Sequence, residues 1–438
     1  MTNQFNRRTF LKTASLSTLG LGVLGTTFPS PALSQSANPS SKINIAHIGL
    51  AGMQGGFHLS GSASQNRIAL CDIDDNYLEA VGKENPDAKR YNDYREMLAD
   101  LEDQIDAVII TTPDHTHAVA AIDAMNRGIH CYCEKPLAHD IYQIRLMKKV
   151  AQEKKIITQM GTQIHAGDNY RRVVELIQAG AIGCVKDIHV WVGTVWGGTP
   201  ATNDEVECPK NIHWDLWIGP APKRPYQPCY FGGNWRSFWD FGNGGMGDMA
   251  CHFLDLPFWA LNLQYPLSSE ANALQPADKD FAARDLIAKF EFPALEGTEP
   301  LTLTWYDGIQ KPPMLKEIGL EDKSNGVLFI GTEGMLYSNY GQHALLPKNK
   351  FEGFEYPPQT IPASIGHHAE WIKAIQDGKD ETTCKFDYSG RVAETAILGP
   401  IAYRCGQKLI YDAENMKVTN CDAAAALIKQ EYHNGWNL

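Results

Sequence analysis

The chain has 438 residues and a formal net charge of −12, with 43% apolar and 21% charged residues. That balance excludes a mostly disordered or collagen-like polymer, and the acidic surplus argues against a general nucleic-acid binder, which needs a basic face. At roughly 150 residues per domain, two or three domains are expected. The 10 Trp and 17 Tyr suit a protein that stacks on the flat faces of sugars, although such rings also fill cores.

The first segment, Asn6-Arg7-Arg8-Thr9-Phe10-Leu11-Lys12, resembles a twin-arginine export signal. A weakly apolar stretch follows at 14–28, too short for the roughly 20 residues that span a bilayer. Small residues suited to cleavage follow at 29–37. Residues 1–36 are therefore read as a signal peptide and set aside from the fold. The expected partner is the twin-arginine translocation machinery, and the expected location is the periplasm or beyond. No later stretch is long and apolar enough for a membrane helix. This route exports folded proteins, so the ten scattered Cys are not read as a disulfide framework. Cys131-x-Cys133 is too tight for a CxxC motif and His115-x-His117 has no second ligand pair, so no metal is expected.

Residues 43–49 read as a buried parallel strand. A turn carrying Gly49, Gly52 and Gly55 follows, then a helical stretch, then a strand at 67–72 ending in Asp72, 23 residues after Gly49. That order is the dinucleotide-binding arrangement: glycines admit the pyrophosphate, the helix start supplies N–H donors, and the acid takes the adenosine ribose hydroxyls. The spacing is GxxGxxG rather than the strict GxGxxG. A carboxylate at Asp72 repels a 2′-phosphate, so NAD is favoured over NADP. Helices at 77–83, 91–98 and 118–127 alternate with strands at 105–110 and 129–133, which predicts a doubly wound parallel sheet with its ligand at the carboxyl ends of the strands.

Gly49 to Gly55, Asp72, Thr112-Pro113-x-His115-x-His117 and Glu134-Lys135-Pro136 together resemble the glucose–fructose oxidoreductase / inositol dehydrogenase (Gfo/Idh/MocA) family. Asp248-x-x-x-His252-x-x-Asp255 resembles its active-site helix, and His367-His368-x-Glu370-Trp371 and Phe386-Asp387-Tyr388 resemble an exported subgroup. The resemblance implies a Rossmann domain at 42–162 and a substrate-binding α+β domain at 163–438 with an open, mainly antiparallel sheet, a return of its last helices to the first domain being one expectation. Alternation at 187–192, 286–292 and 301–305, and a hairpin around Gly331-Thr332-Glu333, agree with that sheet. Residues 200–234, rich in Pro and Trp, are read as a long ordered loop over the site.

Hydride transfer needs a carbinol C–H near the nicotinamide and a base for the hydroxyl proton. His252 is the candidate base, Asp248 one turn earlier its orienting group or a substrate ligand, and Lys135 the donor to the substrate oxygen. The resemblance assigns Gly49, Gly52, Gly55, Asp72, Thr112, Pro113, His115, His117, Glu134, Lys135 and Gln163 to the cofactor, with Glu134 at the nicotinamide ribose. Pro136 fixes the turn, and a cis bond before it is one expectation. His165, Arg171, His213, Trp235, Arg236, Tyr306 and Asp307 are substrate-binding candidates. The leading expectation is an exported oxidoreductase, acting on a sugar, cyclitol or sugar derivative with tightly bound NAD, and a homo-oligomer by analogy. The alternatives are an NAD-dependent glycosidase or lyase working by transient oxidation, although the Pro-Tyr-Pro-Thr-His-Gly stretch of the best-known glycosidase branch is missing, and a sugar-binding protein without catalysis.

Overall fold

The computed structural model describes residues 41–198, 206–294 and 300–438. The export-signal segment and the first part of the 200–234 stretch lie outside the described residues.

Near-continuous apolar runs suit strands covered on both faces. Six of them form a parallel sheet: β1 (Asn44–Ile48), β2 (Asn66–Cys71), β3 (Lys89–Tyr91), β4 (Ala107–Ile110), β5 (His130–Cys133) and β6 (Thr158–Met160), in the spatial order β3-β2-β1-β4-β5-β6. The crossovers carry α1 (Gly52–Gly61), α2 (Asp75–Glu84), α3 (Tyr94–Leu101), α4 (Asp114–Asn126) and α5 (Ile141–Lys154). Two boundaries differ from expectation for local reasons. The helix expected from 91 begins at Tyr94, because the Asp93 carboxylate accepts the Arg95 N–H at 2.9 Å and caps it. Tyr91 instead ends the edge strand β3. Helix α4 begins at Asp114, four residues before the expected 118, directly after Pro113 at φ −60.

A 3-10 turn (Gln163–Ala166) and α6 (Asp168–Gln178) lead into a second sheet of nine strands. These are β7 (Val185–Val192), β8 (Ser268–Ala273), β9 (Leu286–Phe292), β10 (Leu301–Asp307), β11 (Asn325–Gly331), β12 (Met335–Ser338), β13 (His343–Leu346), β14 (Leu409–Asp412) and β15 (Lys417–Val418). Their order is β13-β12-β11-β7-β10-β9-β8-β14-β15. Only the central β7–β10 pair is parallel, so the sheet is mixed and mostly antiparallel. The expected hairpin is β11–β12, closed by Gly331 N–H on the Gly334 carbonyl at 2.8 Å.

Between β7 and β8 the chain forms α7 (Trp214–Ile218) and α8 (Gly244–Leu261). Period-2 alternation sends Ile188, Val190, Leu303 and Trp305 into the main core with α8, whereas Trp191, Tyr306 and Tyr337 form a separate cluster on the other face. Helix α8 is apolar nearly all round because it is buried between sheet and first domain. The chain then returns. Helix α9 (His367–Asp377) lays Trp371 and Ile372 against Ile45, Ile109 and Tyr132 of the parallel sheet. Helix α10 (Phe386–Cys405) packs on α5 and α8, with buried Glu394 held by the Arg145 guanidinium. Burying each of these large side chains contributes about 1.5–3 kcal/mol. All ten cysteines are free, and no helix among the described residues is long and apolar enough to cross a membrane.

Candidate active site

The parallel sheet presents the carboxyl ends of its strands to α8, and the site lies there. At its start, Gly49 donates to the Cys71 carbonyl at 2.8 Å with φ +88. A Cβ there would stand 2.8 Å from the Thr111 carbonyl carbon, so only glycine fits. A Cβ on Gly55 would stand 2.1 Å from the Leu50 carbonyl oxygen, so its absence lets α1 close on the turn. Above Gly52 and Gly56 a Cβ meets nothing within 4 Å, and the first turn of α1 carries no acidic residue. No side chain crowds those two glycines and no carboxylate repels an anion at this helix start. Asp72, following β2, accepts the Leu50 N–H at 2.7 Å and the Asp74 N–H at 2.9 Å. Burial outweighs those donors and pushes its carboxyl up to about 6. Along the strand ends, Thr111 Oγ1, Thr112 Oγ1, Thr162 Oγ1 and Gln163 Oε1 are buried without a hydrogen-bond partner. Buried polar atoms are rarely left so. This row of orphans beside an open glycine turn fits a dinucleotide.

The other wall is one face of α8. Asp248, His252, Asp255 and Trp259 recur at i, i+4, i+7 and i+11 and so share that face. Lys135 follows β5, and its bond to Pro136 is cis. Its Nζ donates to Asp248 Oδ1 at 2.7 Å and to the Asp248 carbonyl at 2.8 Å. Arg236 Nε lies 2.9 Å from the same Oδ1, and Trp196 Nε1 donates to Oδ2 at 2.6 Å. Burial alone would raise the Asp248 carboxyl. The Lys135 and Arg236 charges and these hydrogen bonds instead hold it well below the usual carboxylate range. Asp248 is thus the hub of a cation network and makes no bond to His252. Burial, and then the Lys135 ammonium, push His252 down to about 4 against the pull of Asp248, Glu134 and Asp255. Its Nδ1 is buried without a partner. At neutral pH it is a neutral imidazole with an unused ring nitrogen.

The remaining candidates divide by location. His165 joins the α8 face: its Nδ1 lies 2.8 Å from Asp255 Oδ1, and its ring stacks on Trp259 at 4.0 Å. Tyr388 donates to the same carboxylate at 2.8 Å. His165, Asp255 and Cys384 also bring ligand-type atoms within 4.8 Å of one another, with the His–Asp hydrogen bond already in place. Arg236 lies over Trp235, 4.2 Å from the ring centroid. Other residues are engaged elsewhere. His117 joins the Pro136 and Thr112 carbonyls at 2.8 and 2.7 Å, which ties the loop after β5 to the end of β4. His115 bonds the Trp217 carbonyl at 2.8 Å and packs against Phe241. Arg171 links α6 to α9 through Glu370 at 3.1 Å. His213 is partly exposed beside Asp75 at the β2 end, where the described part of the long loop crosses with an Asp74–Ile212 bridge.

Tyr306 and Asp307 are neighbours on opposite faces of the sheet. Tyr306 bonds His189 at 3.1 Å on the face turned away from α8. Asp307 is buried beside Gly245 at the start of α8 and accepts the Leu286 N–H at 2.6 Å and the Trp305 Nε1–H at 3.1 Å. Burial pushes its carboxyl up to about 8. Sequence reasoning passed over Asp114, a buried acid with an orphaned Oδ2 near the Arg236 and Lys135 charges, although it stands inside the quoted Thr-Pro motif. It quoted Asp255, three residues after His252, without giving it a role, and passed over Trp196, which nothing in its glycine-rich surroundings signals.

A parallel sheet with an open glycine turn, facing a lysine and imidazole at the ends of its strands, defines an NAD-binding oxidoreductase fold. The chain belongs to the GFO/IDH/MocA oxidoreductase family: that family's NAD-binding Rossmann fold matches residues 43–162, and its C-terminal alpha/beta domain matches residues 181–438. Inositol 2-dehydrogenase of Salmonella typhimurium is 30% identical over 151 residues, covering 34% of this chain and 44% of that protein. The alpha-N-acetylgalactosaminidase of Shewanella oneidensis is 29% identical over 208 residues, 41% of this chain and 44% of that protein. The chain thus spans 44% of the length of these curated relatives. The WlbA dehydrogenase from Bordetella pertussis, solved with NADH and UDP-GlcNAcA, shares the fold with a TM-score of 0.61 at 16% identity, over 85% of this chain and 99% of that one.

Proposed function

We propose that this protein is an exported dehydrogenase that oxidises a hydroxyl of a sugar, cyclitol or sugar derivative and keeps its NAD bound. The observation that carries the reading is Lys135 Nζ, buried at the end of β5 and locked on Asp248, one helical turn from a neutral His252. NAD, when bound along the glycine turn and the orphaned threonines, supplies the hydride acceptor. The chain does the rest. Lys135 keeps a fixed positive charge where negative charge develops on the substrate oxygen. His252, neutral at working pH, offers a ring nitrogen to the hydroxyl proton. Half-buried Trp196 and the Arg236 guanidinium beside it, both on Asp248, give the cleft a flat apolar and cationic surface suited to a polyhydroxylated ring.

Export rests on the Arg7-Arg8 segment and makes the translocation machinery a transient partner and the periplasm the destination. Free NAD is scarce there, which favours a retained cofactor reset in place. A homo-oligomer rests on family analogy alone, and native mass measurement checks it. The likeness to an alpha-N-acetylgalactosaminidase favours a second reading: oxidation, elimination and reversal, cleaving a glycoside with no net redox change. One experiment separates the two. Purified protein is denatured and its nucleotide identified, and intact protein is screened against sugars with an added electron acceptor and against glycosides without one. Acceptor-dependent turnover supports the dehydrogenase, sugar release without acceptor supports the glycosidase, and protein that takes up no nicotinamide nucleotide defeats both.

A further inference from the structure

Three buried histidines outside the mechanism gather beside α1, His47, His58 and His368, the last in the His367-His368 motif that the site did not absorb. His58 lies on the buried side of α1. Its Nε2 is 2.8 Å from Glu134 Oε1, and its Nδ1 is 2.8 Å from Nε2 of His368, at the start of α9. All three side chains are buried. His368 stacks flat on Tyr132, with centroids 5.0 Å apart and an interplanar angle of 3°, and Phe57 packs against it at 5.0 Å. The other oxygen of Glu134, Oε2, accepts the Lys135 backbone N–H at 3.1 Å. The third, His47, touches Ser62 and stands outside the chain.

The hydrogens in this chain follow from the chemistry of its ends. A carboxylate only accepts, so His58 Nε2 carries a hydrogen. The other ring nitrogen of His58, Nδ1, shares its hydrogen bond with His368 Nε2. Burial, with His58 and His367 nearby, pushes His368 down to about 3, so it stays neutral. His58 Nε2 is thus the donor to Glu134 Oε1, and His368 holds the far side of the His58 ring. Burial would raise the Glu134 carboxyl, but the His58 hydrogen bond, joined by Lys135 and His252, holds it down to about 2. The outer end of the chain lies under the exposed Gly61, where a Cβ would stand 2.4 Å from His368 Nδ1.

We propose that His58 and His368 are positioning residues of the cofactor site, which keep Glu134 ionised and turned so that Oε2 stays at the carboxyl end of β5. This rests on the NAD-binding reading and extends it to α9, an element from the far end of the chain. Without the His58 donor, Glu134 is a buried carboxylate short of a partner, and it takes up a proton at higher pH. The other groups facing it are His252 and Cys251 from α8, Asp114 and His117 from α4, and Lys135, Tyr132 and Cys133 from its own strand and turn. Asp72, raised by burial and not by Glu134, titrates in wild type and variant alike and drops out of the ratio between the two proteins, whereas Asp114, which the Glu134 charge also raises, moves together with Glu134.

The test is NAD binding to full-length protein, stripped of nucleotide and titrated at pH 5.5 and pH 8. His58→Ala is expected to bind NAD about tenfold more weakly than wild type at pH 5.5, and within about threefold of it at pH 8. His58→Gln, whose amide donates from nearly the position of Nε2, is expected to restore binding at both. His368→Ala shifts the same way by less. Gly61→Ala drives a methyl into the His368 ring without removing any titratable group and reproduces His368→Ala, which keeps the test decisive should His58→Ala not fold. Equal loss at both pH values, unaltered binding in His58→Ala, or a His58→Gln as weak as His58→Ala overturns the assignment. Wild-type protein that binds no NAD at either pH overturns the NAD reading instead.

Discussion

The two walls of the cleft are built on opposite terms. Along the strand ends, Thr111, Thr112, Thr162 and Gln163 keep buried oxygen atoms without partners. Along α8, Asp248 takes hydrogen bonds or ion pairs from Lys135, Arg236 and Trp196, and Asp255 from His165 and Tyr388. A wall of orphans is completed by a ligand, whereas the paired charges of α8 hold their field fixed before any substrate arrives and leave His252 Nδ1 as the unpartnered atom of that helix face. Mutations should therefore separate binding from chemistry according to the wall they strike.

The largest effect is expected on the charged wall. Lys135→Met removes the fixed cation at the substrate oxygen, and turnover should fall on the order of a thousandfold with bound NAD retained. Breaking a buried ion pair costs about 3–5 kcal/mol when the partner is stranded. Here Asp248 keeps Arg236 and Trp196, so a loss of about 1–2 kcal/mol is expected in denaturant unfolding. Wild-type turnover in this variant would remove Lys135 from the mechanism. On the other wall, Gly55→Ala places a methyl 2.1 Å from the Leu50 carbonyl oxygen. Overpacking of this kind costs about 1–3 kcal/mol, and NAD affinity should drop by about tenfold or more as the turn opens. Nucleotide binding at full strength would show that α1 does not set the width of the site.

The comparison also explains what was legible in the sequence. The strand–turn–helix–strand order ending in Asp72 was readable because buried parallel strands are continuous apolar runs and the turn needs glycine for steric reasons. The α8 stripe was readable because helical period alone aligns Asp248, His252 and Asp255. What those carboxylates touch was not. Lys135 lies 113 residues from Asp248, and His165 lies 90 from Asp255, so the pairings depend on how two sheets meet. Asp248 therefore read as a partner for His252, its neighbour in sequence, when it is a partner for Lys135. Edge strand β3, Lys89-Arg90-Tyr91, carries no apolar pattern to read. Tyr306 and Asp307 could be assigned to opposite faces by alternation, but not to which one, because Tyr306 also covers an apolar cluster.

A smaller effect is expected from pH. Asp72 has its carboxyl raised to about 6, so the charged form is the one that burial penalises. Its contribution to folding is fully present below its unfolded value near 3.8 and is lost as pH rises through about 6. Nucleotide binding runs the other way, because ribose hydroxyls donate to the carboxylate: NAD affinity should strengthen as pH rises through 6, by roughly threefold to tenfold between pH 5 and 7. Asp72→Asn should flatten that dependence, and NAD affinity measured across this range checks both. A wild-type profile without an inflection near 6 would mean that the ribose does not use this acid.

The smallest effect is expected at Tyr306, and it tests whether the outer face of the second sheet takes part at all. Tyr306 and Trp305 are consecutive on β10, yet Trp305 packs into the core shared with α8 and Tyr306 joins Trp191 and Tyr337 on the far side. The hydroxyl of Tyr306 has His189 as a partner at 3.1 Å, and neither residue lies between the sheet and the Rossmann domain. Tyr306→Phe keeps the ring and its packing and removes one hydrogen bond, so unfolding free energy should change by about 0.5–1.5 kcal/mol. Turnover and NAD retention should stay within about twofold of wild type, as expected of a change that leaves both walls of the cleft intact. A turnover loss of more than about tenfold, with NAD still retained, would show that the outer face is coupled to the charged wall through the sheet.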